Sequence, residues 1–133
     1  MEQQLVARMR EYLDAGTAMD VDRLDALYDP GFENVRVDLE GRTVTLTKRL
    51  FMDRFRALKA QGRGVGESVD DVSFPAAGRH GDRGSVVMRR VEDGLPVLYH
   101  FVWRIEDGRP TTLLREFTFE RDLSALLALV RPS

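Results

Sequence analysis

Residues 85–120, SVVMRRVEDGLPVLYHFVWRIEDGRPTTLLREFTFE, decide the fold. Ser85 to Glu92, Pro96 to Ile105 and Thr111 to Glu120 read as strands, in which a period of two sends successive side chains to opposite faces. Asp93-Gly94 and Asp107-Gly108 stand between these runs, and such pairs accept the left-handed backbone that tight hairpins require. With Val65 to Phe74 ahead of them, the runs predict a four-stranded antiparallel meander. Along Pro96 to Ile105, the residues Val97, Tyr99, Phe101, Trp103 and Ile105 share one face, and Leu98, His100, Val102 and Arg104 share the other. Counted by twos, the last run sets Thr111, Leu113, Arg115, Phe117 and Phe119 against Thr112, Leu114, Glu116 and Thr118.

Upstream the period is 3.6. Leu5, Met9 and Leu13 recur at i, i+4 and i+8 with Tyr12 beside them, which predicts an amphipathic helix ending near Gly16. Asp20 is placed to cap a second helix carrying Val21, Leu24, Leu27 and Tyr28, with Asp29-Pro30-Gly31 as its stop. From Phe32 to Leu39 the pattern alternates, Val35, Val37 and Leu39 on one side and Asn34, Arg36 and Asp38 on the other. Glu40-Gly41 turns this strand into Thr43 to Leu46, giving a hairpin with one polar face. Thr47 then caps a helix with Phe51, Phe55 and Leu58 on one side and Gly62 as its stop. Asp122 caps a last helix with Leu123, Leu126, Leu127 and Val130, so apolar around most of its circumference that sheet or another subunit must cover it.

Composition narrows the function classes. The 133 residues carry 20 basic and 22 acidic side chains, so a net charge of −2 offers no electrostatic reason to bind nucleic acid. There is no cysteine, which excludes disulfides and thiolate chemistry and fits a reducing compartment; two histidines are too few for a three-histidine zinc site. No apolar run reaches the roughly 18 residues of a membrane span, and MEQQLVARMREYL is a charged amphipathic opening with no signal-peptide character. The expectation is a cytoplasmic single domain over residues 1–133 with no membrane partner.

Helices followed by an antiparallel sheet define an α+β class in which the helices cover one sheet face and the sheet curls around them. YLDAGTAMDVDRLDALYDPGFENVRVD (Tyr12 to Asp38), TLTKRLFMDRF (Thr45 to Phe55) and FVWRIEDGRP (Phe101 to Pro110), in this order, resemble a nuclear transport factor 2-like, SnoaL-like domain. The resemblance implies a cone-shaped half-barrel, N-terminal helices packed in the concave side of a curved, mostly antiparallel sheet. It also implies an amphipathic pocket, and often a homodimer through the outer sheet face. The same scaffold hosts ketosteroid isomerase, scytalone dehydratase, polyketide cyclases and members without a known reaction, so fold alone leaves function open.

In isomerase-like members the general base sits near the end of the first strand, which falls here at Arg36 or Asp38. Asp38 is therefore the candidate base, with an Arg36/Asp38 pair as the structural alternative. The isomerase's acidic donors are missing: Met9 stands at the tyrosine position, and Phe101 about where the aspartate would be. Tyr12 can still point a hydroxyl inward. Tyr99, Phe101 and Trp103 form an aromatic stripe that is either pocket wall or plain core.

On the alternation, Arg115 lies among leucine and phenylalanine facing inward. An unpaired buried charge costs several kcal/mol, so it must find a carboxylate, carbonyls or an anionic ligand, the candidate protein partner being Asp38 and the candidate ligand group a carboxylate held bidentately. The expected site thus has Asp38 and Arg115 as catalytic residues and Tyr12, Arg36, Tyr99, Phe101, Trp103 and Phe117 as binding residues, with no metal and no cofactor. Its ligand would be an apolar or amphipathic small molecule, in one reading bearing a carboxylate. The alternative is a dimerisation or protein-interaction module built on Leu98, His100, Val102 and Leu126. His100 reads as an interface residue and His80, in Gly78 to Asp82, as a solvated loop residue.

Overall fold

The computed structural model describes residues 1–64, 71–92 and 94–130, with the side chains of all but 129 and 130. Asp93 and residues 65–70, read above as a turn residue and the start of a strand, lie outside the described residues. Helix α1 (Glu2–Thr17) buries Leu5, Met9 and Ala15. It ends at Thr17, next to the expected Gly16, and just beyond it Met19 takes the left-handed conformation (φ 52°) while Asp20 N–H bonds back to Ala15 O at 3.0 Å. Asp20 Oδ1 then accepts the Arg23 amide at 3.2 Å and starts α2 (Val21–Leu27), whose Val21, Leu24 and Leu27 are buried.

Strand β1 (Tyr28–Val37) follows with no loop. Asp29-Pro30-Gly31, expected as a stop, instead forms a bulged opening of this strand, between the pairs Tyr28 with Leu113 and Glu33 with Arg115. Proline has no N–H to give to a ladder, and Asp29 Oδ2 takes the Gly31 amide at 2.9 Å. Strand β2 (Thr43–Thr47) completes the hairpin, and Thr47 Oγ1 accepts the Leu50 amide at 3.3 Å to cap α3 (Lys48–Ala60). Gly62, with φ 68°, closes α3 as expected.

The meander comprises β3 (Ser73–His80), β4 (Arg83–Glu92), β5 (Leu95–Glu106) and β6 (Arg109–Phe119). His80 is not in a loop: it ends β3 opposite Arg83 in a tight hairpin. Strand order is β2-β1-β6-β5-β4-β3, and every pair is antiparallel except β1 with β6. The result is a curved sheet, not closed into a barrel, with the N-terminal helices on its concave side. The core lies between them, where Leu5, Met9, Leu24, Phe101, Trp103 and Leu113 are all essentially inaccessible. Helix α4 (Ser124–Val130) starts where Asp122 Oδ1 takes the Ser124 amide; Leu123 and Leu127 are covered by Val44 of β2, so the sheet itself answers the need for cover.

One irregularity in β6 decides which of its side chains face the helices. Strand β5 alternates strictly and turns Tyr99, Phe101, Trp103 and Ile105 inward, opposite Thr118, Glu116, Leu113 and Pro110. Those partners are not evenly spaced, because β6 has register shifts on either side of Leu113: Trp103 pairs with Leu113 and Val102 with Arg115, leaving Leu114 as an extra residue. An extra residue reverses the parity of everything beyond it. Glu116 and Thr118 therefore face the concave side, while Arg115, Phe117 and Phe119 face out.

Candidate functional site

A cavity of about 550 Å³ opens between α1, α3 and the concave sheet face. Leu13, Leu24, Phe51, Phe55, Met88 and Phe101 give it apolar walls. Its polar side is built by the parallel pairing of β1 with β6, which sets Asn34 beside Glu116 and Arg36 beside Thr118. The polar face of β1 is thus the inner one, and Val35 and Val37 lie on the outer face.

Glu116 is the centre of that polar side. Asn34, fully buried, donates through Nδ2 to Glu116 Oε2 at 2.8 Å. Arg36 Nε donates to Asn34 Oδ1 at 2.7 Å and so fixes which end of the amide faces the carboxylate. The Arg36 guanidinium is itself engaged with Glu120, Nη1 to Oε1 at 3.1 Å. Burial pushes the Glu116 carboxyl up to about 7, against the opposing pull of Arg36 and the Asn34 hydrogen bond. A carboxyl in that range is present in both protonation states at neutral pH.

Tyr12 faces the same hollow from α1. Its hydroxyl lies 2.7 Å from that of Tyr28, and its ring stands edge-on to Phe101 and Trp103 at 5.9 and 6.2 Å. Burial first, then the neighbouring Tyr28 and Glu116, hold the Tyr12 hydroxyl well above its ordinary pKa, so it remains a neutral donor. Tyr99, on the opposite wall, donates its hydroxyl to Glu92, and burial and that carboxylate raise its pKa too.

Of the residues expected to form a site, Tyr12, Arg36, Tyr99 and Phe101 line the cavity. Trp103 does not line it: it is wholly buried, with Nε1–H directed to Met9 Sδ at 3.3 Å. Asp38 sits outside the cavity in the β1–β2 turn, where its carboxylate accepts the amides of Glu40, Arg42 and Leu123 and the Arg42 Nε at 2.8 Å. Burial pulls its pKa upward, but the hydrogen bonds from Arg42 and Leu123 and the Arg42 charge outweigh that, and it ends below the ordinary value. An ionised, saturated carboxylate is a poor base.

Arg115 never meets Asp38. It lies on the outer face, 3.2 Å from Glu33 Oε1, and donates to the carbonyls of Gly31 and Leu114 at 2.8 and 2.7 Å. Phe117 is also on that face, stacked on His100 with ring centroids 5.5 Å apart. The inward placement expected for both fails because alternation was carried through a bulged strand. Glu116 was assigned outward by the same error. The sequence does hold a signal: Thr111-Thr112-Leu113-Leu114 doubles each residue type, a break in the alternation at the point where β6 changes parity.

Among the described residues no group of three or more histidines, aspartates or glutamates is arranged to hold a metal ion, and no described helix is long and apolar enough to cross a membrane.

No protein-family model matches the chain, and no curated protein matches it in sequence. Solved structures do match. A nuclear transport factor 2-like protein of unknown function from Silicibacter pomeroyi is 14% identical with a TM-score of 0.65, over 87% of this chain and 92% of that one. A conserved protein from Planctomyces limnophilus also gives 14% identity and 0.65, over 89% and 94%. A de novo designed protein of this fold is 12% identical with a TM-score of 0.56, over 97% and 93%. The chain therefore has the nuclear transport factor 2-like fold. Likeness at these identities extends to architecture only; a designed protein shares it as well.

Proposed function

We propose that the chain is a small-molecule-binding domain that performs proton transfer on an amphipathic ligand, with Glu116 as the group that accepts and returns the proton. The observation that carries this reading is Glu116 itself: a carboxyl on the wall of an aromatic cavity, lifted to about 7 by burial and oriented by Asn34. As carboxylate it removes a proton from carbon beside a carbonyl; the protonated form then returns it to a neighbouring position or to a leaving oxygen. Negative charge moves onto the carbonyl oxygen in between. Tyr12 supplies a hydrogen bond there, because Tyr28 can donate to the Tyr12 oxygen and leave the Tyr12 proton free for the ligand. These steps define an isomerase, dehydratase or cyclase type of reaction.

The test is solvent exchange. Amphipathic ketones, hydroxy-ketones and lactones incubated in heavy water with the protein should take up deuterium beside the carbonyl, and the Glu116→Gln variant should not promote it. Exchange in no member of the panel, or equal exchange in the variant, refutes the assignment.

A second reading, an interaction module, is favoured by one observation. Cross-strand register places Leu98, Val102, Phe117, Phe119, Val35 and Val37 together on the outer sheet face, with Leu98 48% and Phe119 55% exposed. A second copy of this chain would cover that surface. Sedimentation of Val102→Glu against wild type tests it: a monomeric wild type, or a dimer the charge leaves intact, rejects this interface.

A further inference from the structure

Four arginines border the cavity, and they form two sets. Arg36 and Arg90 rise from the sheet wall beside carboxylates, 3.1 Å from Glu120 and 3.8 Å from Glu92 respectively. Arg54 and Arg63 approach from the helix wall and are exposed. Among the described residues neither pairs with a carboxylate, and the Arg63 guanidinium bonds only to the Gln61 side chain, at 3.4 Å.

The local sequence explains why both reach one opening. Phe51, Phe55 and Leu58 lie at i, i+4 and i+7 on α3 and turn their common face to the cavity, with Arg54 on the same border. Gly62 reverses the chain with a positive φ, and the Arg63 amide bonds back to Leu58 O at 2.8 Å, so Arg63 folds over the last turn of the helix. Guanidinium groups thus edge an apolar strip. The carboxylates that line the cavity, Glu92, Glu116 and Glu120, are all on the opposite wall.

We propose that Arg54 and Arg63 are a carboxylate subsite, and that the cavity's ligands are organic acids with an apolar, ring-bearing body. This rests on the cavity being a ligand site, as argued above. The acid end docks at the helix wall, where two guanidinium forks stand without acidic partners among the described residues and match carboxylate geometry. The body lies along Phe51, Phe55 and Leu58, and the far end reaches Glu116. The reverse pose would set two carboxylates side by side. Because both arginines are exposed, salt weakens the attraction.

Calorimetric titration with phenylacetate, phenylbutyrate, phenylhexanoate and their primary amides tests this in wild type and in the Arg54→Gln/Arg63→Gln double variant. In wild type, at low salt, the better-fitting acids should bind about tenfold tighter than their amides. That advantage should vanish in the variant and shrink at high salt, while amide binding stays the same in both proteins. Acids and amides binding wild type equally would overturn the subsite and leave the ligand cavity standing. A preference that survives in the variant would overturn the assignment to these two arginines, and binding by neither class would overturn both the subsite and the cavity's role.

Discussion

Asp38, just past the end of β1, and Glu116, on the neighbouring β6, are both largely withdrawn from solvent, yet their protons behave in opposite ways. Asp38 lies in the β1–β2 turn and receives three backbone amides and one guanidinium N–H. Glu116 lies on the cavity wall and receives the Asn34 amide, with Arg36 acting on it only through space. Donors decide the outcome: where they saturate the carboxylate the charge is stable, and where they are few burial favours the proton. Asp38 therefore ties a hairpin to α4, and Glu116 is left able to exchange a proton near neutrality.

The sharpest way to break this contrast is to remove each carboxylate in turn. Glu116→Gln should cut the heavy-water exchange by about 100-fold or more, as expected for loss of a positioned base, while the protein stays folded. Asp38→Asn should do the reverse. Loss of the charge that holds Arg42 and three amides should lower Tm by on the order of 10 °C, read by calorimetry, with exchange per folded molecule unchanged.

The two groups should also leave opposite marks on stability against pH. Glu116 is raised from an ordinary 4.5 to about 7, so the folded state holds its proton over that interval while the unfolded chain releases it. The contribution is fully present below the unfolded value and is lost as pH rises through about 7, by up to about 3 kcal/mol. Asp38, lowered in the folded state, contributes above its unfolded value and loses this as pH falls through the folded one. Urea denaturation across pH should show a falling limb toward alkaline pH that disappears in Glu116→Gln and persists in Asp38→Asn. The smallest effect belongs to Tyr12→Phe: about tenfold slower exchange, since Tyr28 remains nearby, and about 1 kcal/mol of stability for the lost hydroxyl pair.

Much of the architecture was legible because it is written in local chemistry. Asp20 and Thr47 each accept the amide expected of a cap, Asp122 takes the first amide of α4 from one residue ahead of the cap position, and the inward stripe of β5 follows directly from its period of two. Asp29-Pro30-Gly31 misled because a bulge and a stop use the same residues. The site was less legible. Tyr12, Arg36, Tyr99 and Phe101 could be placed by period, since the elements carrying them are regular where they meet the cavity. Arg115 and Glu116 could not, because their facing depends on counting along a strand that contains an extra residue.

By itself, the sequence determined the element order, the caps and turns, and which strand face of β5 is greasy, since each follows from side-chain type within a few residues of chain. The tertiary structure alone decided which of two adjacent charged residues on β6 enters the hollow. That choice is made by hydrogen-bond register between strands distant in sequence, and one unpaired residue at Leu114 suffices to exchange an outward ion pair for an inward acid.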